Sequence, residues 1–163
     1  MKSHGVRFGL LAGIGTILML LSAYYIDKKL MLSPSVVWST MIFYLIGMYL
    51  AVKEVRKEQE GFISFKEALK ASMMVWIVAN AMYHGFLYLQ FNVFDPELLP
   101  IQKAQFLEQN AQAGFLKEED AATMAESLTY NLQQTLTGYI SSLLGGFAIS
   151  AFLASWLRRD KVV

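Results

Sequence analysis

Residues 53–69 read KEVRKEQEGFISFKEAL, a charged island between two long apolar stretches. Three readings compete for it: a binding site, the edge of a soluble domain, or a turn outside a membrane. The flanks decide. Phe8–Ile26, Leu30–Val52, Ala71–Phe94 and Ser127–Leu157 contain no Asp, Glu, Lys or Arg. A helix that crosses a bilayer needs about 20 mostly apolar residues. Each segment supplies such a run, the last from about Tyr139. A soluble domain of 163 residues has too little interior to bury four of them. The expected fold class is therefore all-α: an integral membrane four-helix bundle, with spans at about 7–26, 34–52, 68–92 and 134–157. The island is then a turn at a membrane face.

Composition agrees. Charged residues make up 17% of the chain, below the roughly 25% of soluble proteins. Lys2 and Arg7 precede the first apolar run as in a signal peptide. That run exceeds the usual apolar core of a signal and no A-x-A site follows it, so it is read as a span. The absence of cysteine excludes disulfides, thiolate metal sites and cysteine nucleophiles. A net charge of +1, with no basic patch interleaved with aromatics, gives no sign of nucleic-acid binding.

Lys/Arg asymmetry sets the expected orientation. Ten of the 14 basic residues fall on one side: Lys2, Arg7, Lys53, Arg56, Lys57, Lys66, Lys70, Arg158, Arg159 and Lys161. Lys28, Lys29, Lys103 and Lys117 fall on the other. Both termini are thus expected in the cytoplasm, with residues 27–29 and the insertion 95–131 facing outward. In that insertion Asp95-Pro96-Glu97 reads as a helix start, with Asp95 as N-cap and Pro96 at the first helical position. Ile101, Ala104, Leu107 and Ala111 recur at helical spacing, and Gly114 is a stop signal. A second start lies at Lys117-Glu118-Glu119-Asp120. Its apolar stripe, Met124, Leu128 and Leu132, is expected to run unbroken into the fourth span. The pair reads as a helical hairpin. Its seven acidic residues suit either a solvated face or a site for a cation or basic partner.

Small residues form two ridges. Gly138, Ser142, Gly146, Ser150 and Ala154 recur every fourth residue in the fourth span, and Gly5, Gly9 and Gly13 do so in the first. Such ridges let helix backbones approach closely in lipid. The economical expectation is that the first span docks on the fourth; a homodimer is the alternative use.

The third span carries the polar residues. Trp76, Asn80, His84 and Tyr88 share a face, with Tyr83 alongside, and Asn80 and His84 fall within a turn of the expected midplane. Ionisable groups at that depth are functional candidates, and imidazole relays protons or senses pH near neutrality. The structural reading is that Asn80 and His84 hydrogen-bond across the bundle, each bond worth about 0.6–2 kcal/mol. No charged partner lies inside the spans. No phosphate-binding loop, HExxH, nucleophile elbow or paired-carboxylate constellation is found. His4 and His84 lie on different spans, so no metal site or cofactor is expected, and no enzyme activity.

The island itself contains a capping box, Ser64-x-x-Glu67, with Ile63 at the staple position. The order of "GVRFGLLAGIG", the charged link, "GFISFKEALKA", "NVFDPELL" and "SSLLGGFAIS" resembles the bacterial membrane-protein family called domain of unknown function 4199, over nearly the whole chain. The resemblance implies four spans and assigns no activity and no catalytic residues. The functional expectation is a non-enzymatic accessory or scaffold subunit in the bacterial inner membrane, with the lipid bilayer, an envelope protein or a second copy as partners. The alternative is a small oligomeric transporter or channel lined by the Asn80/His84 face.

Overall fold

The structure is a computed structural model that describes residues 2–159. Lys161, counted above on the cytoplasmic side, lies outside the described residues. Among the described residues the chain is helical and forms no strand; its one extended pairing is a bridge between Ile63 and Arg159. Eight α-helices follow in order: α1 (Lys2–Ile26), α2 (Lys28–Met31), α3 (Pro34–Ser39), α4 (Met41–Glu58), α5 (Phe65–Leu89), α6 (Leu98–Ala113), α7 (Glu118–Ser127) and α8 (Leu132–Leu157). A π-helical turn, Gln90–Phe94, extends α5.

Three stretches are long and apolar enough to cross a membrane: His4–Ile26, Pro34–Glu58 and Leu132–Leu157. The second has a one-residue interruption at Thr40, whose hydroxyl bonds back to the Val37 carbonyl at 2.6 Å. α5 is not among the three. Trp76, Asn80, Tyr83, His84 and Tyr88 dilute its apolar character, yet it is the central helix. α1, α4 and α8 all pack on it, and its partners are helix surfaces where the other three present much side chain outward. Leu10, Leu11, Leu18, Ile42, Ile46, Leu144 and Phe152 are all exposed.

The small-residue ridges both meet α5. A Cβ on Gly5 would lie 2.7 Å from the Met74 Cβ, and one on Gly9 would lie 2.7 Å from the Val78 Cβ. On the other side of α5, Gly146 lies against Trp76, Gly138 against His84 and Ser142 against Asn80. Ser150 and Ala154 are fully buried. The expected docking of the first span on the fourth is therefore corrected: α5 stands between them, because it offers two faces and each ridge takes one.

The elbow before α5 is built by its own residues. Gly61 has φ +93°, a conformation L side chains resist, and its N–H bonds to the Arg56 carbonyl at 2.9 Å. The Ser64 hydroxyl caps the Glu67 N–H at 3.4 Å while the Glu67 carboxylate accepts from the Ser64 N–H at 3.2 Å. Gln59 donates to the other Glu67 oxygen at 2.6 Å. Ile63 is buried, and its backbone pairs with Arg159 through bonds of 2.9 and 3.0 Å. That bridge ties the end of α8 to the elbow.

The segment between α5 and α8 departs from expectation in three places. No helix starts at Pro96; α6 begins at Leu98, and the Asp95 carboxylate accepts from the Glu97 N–H while its main partners are Lys28 and Tyr24. α7 does not run into α8. Residues 128–131 are not helical, with Leu128 and Asn131 extended, and Asn131 caps α8 by accepting from the Gln134 N–H at 2.8 Å. The buried face of α7 is Ala121 and Ala125 rather than the Met124 and Leu132 stripe, which is exposed. Alanines allow α6 and α7 to come close. Gly114, at φ +64°, ends α6, and the Asn110 amide closes the turn through two bonds to Leu116 at 3.0 and 3.1 Å.

Candidate functional site

α5 brings its polar face against α8, and the register of the two helices splits that face into two parts. In the first, the buried Asn80 amide donates to the Ser142 hydroxyl, which itself donates to the Tyr139 carbonyl at 2.6 Å. The Trp76 indole donates to the Ser142 carbonyl at 3.1 Å. Gly146 makes this contact geometry accessible, since any side chain there would occupy the position of the indole. A buried polar group that finds its partner contributes modestly and is costly to orphan. Asn80 and Trp76 thus act here as interhelical fasteners. Their other side borders an apolar cleft of about 210 Å³, lined by Trp38, Tyr44 and Tyr83 among others.

The second part is one turn further along. His84 is half-buried, edge-on to the rings of Tyr83 (centroids 5.2 Å apart) and Tyr139 (6.0 Å). Its Cε1 would be 3.2 Å from a Cβ on Gly138. Among the described residues no hydrogen-bond partner for the ring is found. His84 instead borders a cavity of about 280 Å³ with Tyr83, Tyr130, Thr129, Gln134 and Thr135. Asn80 and Tyr88 do not line it. Of the four residues read from sequence as one polar site, His84 and Tyr83 share this cavity. Asn80 is engaged with α8, and the backbone carbonyl of Tyr88 accepts from Asn92 at 2.8 Å. The amide and hydroxyl groups around it are largely engaged already: the Thr129 hydroxyl donates to Gln134, the Gln134 amide to the Ser127 carbonyl, the Thr135 hydroxyl to the Asn131 carbonyl, and the Tyr130 hydroxyl accepts from Gln102. The cavity is thus mainly apolar, with the His84 ring as an unengaged polar group at its wall.

A cluster missed by the sequence reading lies at the α1–α2 junction. The Lys28 ammonium is 2.6 Å from the Asp95 carboxylate, and the Tyr24 hydroxyl donates to the same oxygen at 2.8 Å. Lys28 also reaches Glu97 at 3.5 Å. The Lys28 hydrogen bond, seconded by Tyr24, holds the Asp95 carboxyl below the usual carboxylate range despite its burial. The same bond holds Lys28 above its usual range. Beneath the pair, Leu20, Met31, Leu87, Phe91 and Leu98 form a separate apolar core, and Tyr130 stacks on Phe91 at 3.8 Å. The chain separation of 67 residues hid this contact, although both residues were assigned to the same membrane face.

Among the described residues, no group of three or more His, Asp or Glu side chains is arranged to hold a metal ion. Ser64 and Glu67 are occupied with capping and with Gln59, and so are structural. The family model described as "Protein of unknown function (DUF4199)" matches residues 7–159. The chain belongs to that family. No curated protein and no solved structure matches it. The matched region contains the elbow, the α8 ridge, Gly9 and Gly13 of the α1 ridge, and the His84 cavity, and starts just after Gly5.

Proposed function

We propose that this protein is a non-enzymatic accessory or scaffold subunit of an envelope complex in the bacterial inner membrane. In this reading α5 is a fourth span, both termini are cytoplasmic, and α6 and α7 form an extracytoplasmic hairpin. The hydrophobicity of α1, α3–α4 and α8 supports membrane residence. The clustering of basic residues near the elbow and the end of α8 supports the orientation. α5 has 25 residues and so is about 37 Å long at 1.5 Å per residue, enough to cross with its polar face turned to α8.

The observation that carries the scaffold reading is the tip of the hairpin. Phe115 is 86% exposed, held outward by the Asn110 turn, with exposed Glu118, Glu119 and Asp120 beside it. An exposed aromatic in an acidic surround suits a basic, apolar protein surface. The absence of native cysteine makes single-cysteine variants clean reporters. Phe115→Cys should label from outside the cell and Gly61→Cys only after permeabilisation; the reverse pattern rejects the orientation. A photoreactive residue at position 115 should give one discrete adduct in native membranes, and one at Ile14 none. A smear of lipid adducts alone at both positions rejects the scaffold reading.

The second reading, a small oligomeric transporter or channel, is favoured by the His84 ring facing its cavity unpartnered. Asn80 is tied to Ser142, so the polar path would have to run through His84 alone. His84→Gln should alter a pH-dependent flux in proteoliposomes if this reading holds, and unchanged flux at normal protein yield rejects it.

A further inference from the structure

The cytoplasmic-side stretch of α5 also forms a groove with α8 that neither reading above uses. Its volume is about 480 Å³, within the roughly 300–1,000 Å³ of small-ligand clefts. Leu69, Met73, Ile77 and Phe147 line the apolar part, and Lys66 and Lys70 stand at one end. The two lysines are four residues apart on one helix and therefore neighbours on its surface. Neither has a carboxylate partner among the described residues. The nearest acid in sequence, Glu67, is withdrawn by the Ser64 cap and the Gln59 amide. The backbone bridge between Ile63 and Arg159 holds the end of α8 against the same elbow. Exposed Arg158 and Arg159 are thus added to the same neighbourhood.

The chemistry is amphipathic with a cationic head end. An apolar trough opens sideways between two helices and ends in unneutralised ammonium groups at the turn where α5 leaves the apolar zone. Methionine at its wall adapts to a flexible chain. A peptide strand would find few backbone donors or acceptors there, because the lining is helical side chain. We propose that this groove is a binding site for an anionic glycerophospholipid. Its phosphate is held between Lys66 and Lys70, and one acyl chain lies along Met73, Ile77 and Phe147.

The site rests on the membrane placement proposed above and not on the scaffold or transport readings. The labelling experiment reports on that placement separately, so the two failures are distinguishable. The test is native mass spectrometry of the full chain in detergent, titrated with phosphatidylglycerol or phosphatidylcholine of matched acyl chains. Basic residues at a membrane surface favour anionic headgroups severalfold each, so about a tenfold preference for phosphatidylglycerol is expected. The double variant Lys66→Gln/Lys70→Gln should reduce that preference to nearly one. Ile77→Trp, which fills the trough, should weaken both lipids while helicity and melting temperature stay unchanged. Excess glycerol 3-phosphate should not displace the lipid. Equal binding of the two lipids overturns the proposal, as does a preference that survives the double lysine variant. Displacement by glycerol 3-phosphate, or occupation of the groove by a second copy of the chain, overturns it equally.

Discussion

The indole of Trp76 rests on the bare backbone of Gly146, with its N–H directed at the Ser142 carbonyl 3.1 Å away. The contact joins the central helix to α8 by shape and by hydrogen bond at one point. It also requires a residue without a side chain. Gly146→Ala is expected to force the indole out and cost about 1–3 kcal/mol, as overpacking does. Gly145→Ala, where nothing lies within 4 Å, should be neutral or stabilising by up to about 1 kcal/mol through backbone entropy. Thermal unfolding of the two variants in the same detergent measures the difference.

Asn80 and Ser142 form the second fastener. A double-mutant cycle of Asn80→Ala and Ser142→Ala should give a coupling energy of about 0.6–2 kcal/mol. A coupling near zero would mean that the pair adds nothing beyond the packing around it.

The Asp95–Lys28 pair should make attachment of the segment after α5 depend on pH in a defined sense. The Asp95 carboxyl is depressed by Lys28 and Tyr24, so its contribution is complete above the ordinary carboxylate range. It is lost as pH falls through the depressed folded value. Lys28 is raised by Asp95, so its contribution is complete below the ordinary lysine range and is lost as pH rises through the raised value. Between about pH 5 and 9 the attachment should be flat. Hydrogen-exchange protection factors of residues 98–107, corrected for the intrinsic rate at each pH, should fall in acid below that window. Asp95→Asn should lower that protection at neutral pH and remove its acid dependence.

At the elbow, Ser64→Ala is expected to cost about 1 kcal/mol through the lost cap. Gly61→Ala should cost about as much again through the positive φ. These sites share one turn, so the double variant will deviate from additivity. Chemical unfolding monitored by circular dichroism checks both.

The sequence made the helices legible because each depends on local signals: uncharged runs, a Gly-x-x-Ser-x-x-Glu elbow, a glycine stop at 114. It misjudged where signals compete. Asp95 carries a good N-cap side chain, but its carboxylate reaches a lysine that helix capping statistics do not see. The Met124–Leu128–Leu132 stripe has helical spacing, yet the chain breaks at Leu128 because Asn131 starts a new cap. The polar face of α5 was visible as a period of four residues. Its division into an Asn80 fastener and a His84 cavity was not, because that depends on the register of α8 against α5.

By itself the sequence determined an all-helical chain with apolar stretches fit for a membrane, two ridges of small residues and one polar helix. These follow from composition and periodicity along one strand of residues. Only the tertiary structure decided that the polar helix stands in the middle, with a small-residue ridge on each side. A small-residue ridge states that a backbone comes close but not which one. The choice rests on the bulk of Met74, Trp76 and Val78, which fits the ridges only when α5 lies between them.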